Sequence, residues 1–269
     1  MILSSLVAEE RMVVRFVDPD KTVLTEFNET DYDIAAFKPG EFLDLVVAKS
    51  QYEELLSRGF QIIVTQTEDQ LRQNLGDVRD LYGYRNYDEL LEDLQEIELQ
   101  YPDICKLYDI GNTRGKEYLM EGNSYYNDYN HEIWAMKVSD NVAEEEDEPS
   151  VFYMAEHHAR EPISLEVNMY VLNHIISNYG SDPTITNEVN NKQIWFMPLV
   201  DPNDHKIVTD EVDLWWRKNI RDNSGNGSIN FGGGDGVDPS RKYDWNWGGE
   251  GSSGDTNSET YRRPSAFSE

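Results

Sequence analysis

A chain of 269 residues with 52 acidic and 23 basic side chains carries a formal net charge of −29. That excludes nucleic acid as a partner, because phosphate binding needs a basic face. The 38% hydrophobic, 12% aromatic and 28% charged residues fit a packed protein of one large or two ordinary domains, not a disordered chain. The single cysteine, Cys105, excludes an internal disulfide framework.

The first ten residues, MILSSLVAEE, hold a short apolar patch without a basic start. Read as the remnant of a signal segment, it sets the expectation of a secreted or extracellular protein. No stretch approaches membrane-spanning length, so no membrane partner is expected. Residues 11–17 and 22–27 read as strands around an Asp-Pro-Asp turn, and 42–48 as another strand. Ser50 can cap a helix carrying Tyr52, Leu55 and Leu56 that stops at Gly59, and 60–64 returns as a strand. This small α/β unit holds no histidine. Residues 66–85 read as a linker.

At Asn86 a capping-box pattern opens, with Glu89 three residues on, and the helix carries Leu90, Leu91, Leu94 and Ile97. Strands follow at 104–110, where Cys105 is expected to be buried and inert, and at 133–138. Between them 116–132 reads as an irregular excursion with His131 exposed. The acidic run 144–148 reads as a solvated loop, and its clustered carboxylates also offer oxygen ligands for calcium.

The informative stretch is Val151 to Pro162, VFYMAEHHAREP. Its apolar start reads as a buried strand. It breaks into charged residues and leads into a helix with Ile163, Val167, Tyr170, Val171 and Ile175 on one face. His174 shares that face and is expected in the core. Strand ends leading into helices are where open α/β sheets place their sites. His158 and Glu161, three apart, point the same way in a turn or first helical turn. An imidazole and a carboxylate suit zinc, whose catalytic sites take three protein ligands and a water. A solvated helix start, with Glu161 favoured by the dipole, explains the same pair. His157, offset by one, turns away. Beyond an irregular connection at 178–191, residues 193–200 read as the next strand.

Four stretches resemble the zinc metallocarboxypeptidases, and most of all the bacterial, carboxypeptidase-T-like members. They are His157-His158-Ala159-Arg160-Glu161; Met197 to Asp204, reading MPLVDPND; Trp216-Arg217-Lys218-Asn219; and Gly236 to Arg241, running on through Ser258 to Arg262 and Ser265 to Ser268. Their order and spacing agree over about residues 84–269. The resemblance implies an α/β fold: a mixed β-sheet flanked by helices, preceded by a small propeptide-like unit. The implied division is 1–80 for that unit and linker, and 81–269 for the N-terminal part of the catalytic domain. It implies zinc held by His158 and Glu161, an oxyanion stabilised by Arg217, and a terminal carboxylate gripped by Arg241 beside Ser240. By the same resemblance, Arg160 is expected to contact substrate one step further along. The substrates it implies are peptide or protein C-termini, acted on by a monomer.

The chain departs from the family pattern in two ways. Ser240 stands where the family has asparagine, and Asp201 to Asp204 breaks its usual Asn-Pro-Asp-Gly turn. The family's third zinc ligand, its general-base glutamate and its capping tyrosine match nothing here, so the chain is expected to be a fragment of a longer protein. A truncated, non-catalytic binding module and a related zinc amidohydrolase are the alternatives.

Overall fold

The computed structural model describes residues 9–17, 19, 23, 27, 32–70, 83–231 and 234–267. They fall into two compact units, Asp80–Arg221 and Met1–Arg79 together with Asp222–Glu269.

In the unit holding the N-terminal residues, β1 (Arg11–Val17), β2 (Asp33–Lys38), β3 (Phe42–Ala48) and β4 (Ile62–Thr67) form an antiparallel sheet in the order β2-β3-β1-β4. Alternation along β1 sends Met12, Val14 and Phe16 into a core with Leu43, Leu45 and Val47 of β3. Of the strand expected over 22–27, only Val23 and Phe27 lie within the described residues, and both are helical. Four apart, they face one way, and Phe27 meets Phe16 and Phe60 with ring centroids 5.0 and 5.6 Å away. Packing of that aromatic overrides the local strand propensity. Helix α1 (Lys49–Ser57) is capped at Ala48, whose N–H donates to Gln51 Oε1 at 2.8 Å, not at the expected Ser50. Gly59, at φ +87°, ends it as expected, with Phe60 N–H bonded to Leu55 O. The expected linker 66–85 begins inside β4, and its residues 71–82 lie outside the described residues.

The unit Asp80–Arg221 is a mixed sheet with helices packed on it. Strands β5 (Cys105–Asn112), β6 (Glu132–Val138), β7 (Ser150–Met154) and β8 (Gln193–Met197) run in the order β5-β6-β8-β7. The β7–β8 pair is parallel and the other two pairs antiparallel. Helix α2 (Tyr87–Gln100) starts at the forecast capping box, with Glu89 N–H donating to Asn86 Oδ1 at 3.0 Å and Asn86 N–H to Glu89 Oε2 at 2.9 Å. Its Leu90, Leu94 and Ile97 meet Cys105, Met136, Val138, Ile194 and Phe196 of the sheet. Each such buried side chain contributes roughly 1.5–3 kcal/mol. Cys105 is buried as expected, and burial first, then Glu98, pushes its thiol up to about 12.

Several expectations are corrected here. Residues 116–132 are not irregular: α3 (Arg114–Met120) and a 3-10 turn (Ser124–Tyr129) fill the stretch around the fully buried Tyr126. His131 is not exposed. Its Nδ1 lies 2.9 Å from Asn203 Nδ2, and burial, aided by Lys206, lowers it to about 4. The connection 178–191 contains α5 (Pro183–Val189), capped by Asp182. The strand read as buried, β7, exposes Phe152, Tyr153 and Met154, because it is the sheet's edge and pairs only with β8 among the described residues. In α4 (Ile163–Asn178) the stripe facing the core is Leu165, Met169, Leu172 and Ile176. Of the forecast stripe, Val171 and Ile175 are partly buried against that core, whereas Ile163, Val167 and Tyr170 are exposed and His174 stands on the surface with them. The helix carries two apolar stripes, and spacing alone does not say which one the sheet covers. Among the described residues no helix is long and apolar enough to cross a membrane.

Candidate metal and substrate site

The parallel β7–β8 pairing continues one residue past the strands, with Ala155 N–H donating to Met197 O at 3.0 Å and Val200 N–H to Ala155 O at 3.2 Å. The chain then turns. Glu161 N–H donates to His158 O at 3.0 Å, and Ser164 N–H and Oγ both donate to Glu161 O. Pro162, at φ −65°, leads into α4, as its fixed ring suits.

This turn delivers the forecast pair. His158 Nδ1 lies 3.1 Å from each carboxylate oxygen of Glu161. Arg217 joins them, its Nη1 lying 3.0 Å from His158 Nδ1 and donating to Glu161 Oε1 at 3.5 Å. His158 is buried, while the Glu161 side chain stays half-exposed. Burial pushes the Glu161 carboxyl up, but the hydrogen bond and charge of His158, then Arg217 and Arg160, outweigh it and leave it below the usual range. Arg160 donates from Nη1 to Trp215 O at 3.2 Å.

The residues fit zinc on donor chemistry and spacing. Zinc takes imidazole nitrogen and carboxylate oxygen at about 2.0–2.2 Å, so two donors sharing one ion stand about 3.4 Å apart. The 3.1 Å found between Nδ1 and the carboxylate is close to that. Nδ1, the ring nitrogen beside Glu161 and Arg217, would have to give up any proton to face an ion.

Beside the turn lies a polar cluster that sequence reasoning missed. Asp201 caps α6 (Pro202–Thr209), its Oδ1 accepting from Asn203 N–H at 2.9 Å, so the segment that departs from the family's turn pattern starts a helix. His205 on α6 brings Nδ1 to 2.6 Å from Glu156 Oε1, and both side chains are fully buried. Its Nε2 lies 3.0 Å from Arg85 O. Burial raises the Glu156 carboxyl against the pull of His205. Asp204 is fully enclosed, with the backbone N–H groups of His205 and Ala159 as its nearest support and no side-chain partner among the described residues. Burial first, then Asp201 and Glu156, raises it well above the usual carboxylate range. The available signal was position: Glu156 follows directly on the apolar run 151–155, and the Asp204-His205 pair comes four residues after the run 193–200.

Ser240 and Arg241 lie in the other unit, on the 3-10 turn Pro239–Arg241. Ser240 Oγ donates to Asp238 Oδ1 at 2.7 Å and accepts from Arg241 Nη1 at 2.8 Å. Arg241 Nε donates to Gly251 O at 2.9 Å, and among the described residues Nη2 and the second Nη1 proton remain for a ligand. In the acidic loop, Asp140, Glu146 and Glu148 bring carboxylate oxygens within 4.8 Å of one another. One oxygen of each is buried without a hydrogen-bond partner among the described residues.

The sequence profile of the zinc carboxypeptidase family matches residues 90–269. A zinc carboxypeptidase of Saccharothrix mutabilis subsp. capreolus is 29% identical over 169 residues, covering 62% of this chain and 33% of that protein. Carboxypeptidase A2 of Rattus norvegicus is 34% identical over 123 residues, 46% of this chain and 28% of that protein. The chain thus spans a third or less of the length of these two relatives. Among solved structures, carboxypeptidase A of Helicoverpa armigera gives a TM-score of 0.72 at 20% identity, covering 97% of this chain and 64% of that one. Thrombin activatable fibrinolysis inhibitor gives 0.66 at 21% identity, covering 97% and 66%. At these identities the structural likeness speaks for the fold.

Proposed function

The chain belongs to the zinc carboxypeptidase family, and from that premise we propose that it serves the zinc-dependent hydrolysis of C-terminal peptide bonds in peptides and proteins. The observation that carries this reading is the convergence of His158 Nδ1, the Glu161 carboxylate and Arg217 Nη1 within 3.5 Å. His158 and Glu161 are two ligands of the ion. Zinc supplies Lewis-acid polarisation of a carbonyl and acidifies water.

Arg217 donates to the oxyanion that develops on the attacked carbonyl, and losing such a donor costs roughly 2.7–4 kcal/mol of barrier. Arg241 takes the terminal carboxylate end-on through Nη1 and Nη2, the pairing its bonds to Ser240 and Gly251 leave open. Ser240 acts through Arg241 by fixing its guanidinium, because its own hydroxyl already donates to Asp238. Arg160 contacts the peptide one position further along. Neither the third ligand nor the general base of the family is among the residues assigned here. In this reading residues 1–80 act as a propeptide-like unit, and the protein works outside the cell as a monomer.

The test is zinc content and release of the C-terminal residue from blocked dipeptides by the full-length protein, with and without a chelator. The Glu161→Ala protein is expected to lose both the zinc and the activity, and full activity in that variant refutes the assignment. A stoichiometric zinc also separates this reading from a non-catalytic module.

A calcium ion at Asp140, Glu146 and Glu148 is proposed on the three partnerless carboxylate oxygens. Calorimetric titration with calcium chloride is expected to show binding heat that Glu146→Gln abolishes. No heat with the unaltered protein removes the site.

A further inference from the structure

We propose that Glu156 and His205 form a positioning pair that sets the pose of the His158–Glu161 turn. The inference rests on the zinc reading above and concerns residues that reading leaves without a role.

Glu156 sits two residues before His158 with φ +49°, a left-handed conformation that a side chain bearing a Cβ rarely adopts. Its backbone is coupled to the ligand turn through one hydroxyl. Glu156 N–H donates to Ser164 Oγ at 2.9 Å, and the same Oγ donates to Glu161 O at 2.9 Å. Any relaxation of Glu156 toward an ordinary φ therefore shifts the residue that carries the second ligand. The side chain opposes that relaxation, because it is buried and held at 2.6 Å by a ring that is itself anchored.

The anchor is Arg85. Its carbonyl lies 3.0 Å from His205 Nε2, so Nε2 carries a proton and donates it. One further proton must then lie between Nδ1 and Oε1, since an imidazole lone pair facing a carboxylate at 2.6 Å is repulsive. The pair is neutral overall whichever partner holds that proton, which suits its enclosure. Arg85 extends the anchorage. Its N–H donates to Glu166 Oε1 at 3.0 Å, its Nε to Asp93 Oδ2 at 2.5 Å, and its Nη1 pairs with Glu166. The turn is thus bracketed. Glu156 holds it on the strand side and Glu166 on the α4 side, and both lead to Arg85 on the segment before α2.

The proposal predicts that a hydrogen bond, not burial alone, holds the turn. The experiment compares wild type, Glu156→Leu and Glu156→Gln. Histidine-ring and backbone-amide NMR signals are followed during titration with zinc sulfate, alongside amide hydrogen exchange at Ala159 and Glu161. Glu156→Leu is expected to raise the zinc concentration at half-saturation about 10-fold or more, the scale of lost outer-shell partners, and to speed exchange at the turn. Glu156→Gln, whose amide can donate to a neutral Nδ1, is expected to stay within about 3-fold of wild type.

A folded Glu156→Leu protein with wild-type half-saturation and exchange overturns the proposal, and so does a Gln variant as impaired as the Leu variant. A role in stability alone would lower the unfolding midpoint and leave zinc affinity of the folded protein unmoved. If Glu156→Leu does not fold, the wild-type ring decides: a His205 with no proton on Nε2 refutes the arrangement. If wild type shows no zinc response, the zinc reading falls, and the exchange rates still judge the pair.

Discussion

Gly115, the second residue of α3, marks the tightest approach around the helix start that carries Asp204 and His205. Its N–H donates to the buried Asn203 Oδ1 at 2.8 Å. A Cβ added there would stand 2.5 Å from Tyr129 Cβ, 2.5 Å from Tyr129 O and 2.7 Å from Asn203 Oδ1. Two of these are backbone or backbone-anchored atoms, so the clash cannot be relieved by swinging a flexible side chain. Overpacking of this kind costs about 1–3 kcal/mol. Pushing Asn203 off its partner strands a buried amide, at about 1–3 kcal/mol more. Alanine returns about 1 kcal/mol of helix propensity. Gly115→Ala is therefore expected to destabilise the protein by about 1–5 kcal/mol, by the sum of those terms. Urea unfolding followed by far-UV circular dichroism measures it, with Gly111→Ala as the control, because nothing lies within 4 Å of a Cβ at Gly111. A Gly115→Ala protein as stable as the control variant refutes the packing argument.

Asp204 predicts a pH effect. Its carboxyl is raised in the folded state, so the fold loses stability as pH climbs through the normal carboxylate range toward the raised value. Asp204→Asn carries no charge to bury. It is expected to match wild type near pH 4 and to exceed it by about 1–3 kcal/mol at pH 8, measured by urea unfolding at both; a wild-type advantage at pH 8 counts against it. At the start of α2, Asn86→Ala removes the acceptor of Glu89 N–H and is expected to cost about 0.5–2 kcal/mol, checked the same way.

What could be read in the sequence follows from how far apart the interacting residues stand. The capping box at Asn86 and the His158–Glu161 pair are contacts across three residues, so spacing alone suffices to bring the groups together. Arg217 reaches His158 across 59 positions, and only the family resemblance could suggest it. Glu156–His205 spans 49 positions and His205–Arg85 spans 120, and no local pattern carries such pairings. The same limit explains why only Val171 and Ile175 of the forecast α4 face meet the core. Ile163, Val167 and Tyr170 are spaced as well for burial as Leu165, Met169 and Leu172, and the choice is made by the sheet.

These long-range pairs also change what the legible ones mean. A His-x-x-Glu turn on a solvated loop would leave its two donors free to part. Here the residue entering the turn is held in a strained conformation by a buried ring, and a hydroxyl passes that constraint to the carbonyl of Glu161. In the zinc reading proposed above, donor atoms kept 3.1 Å apart by such a frame would be organised before an ion arrived, which would lower the cost of binding one.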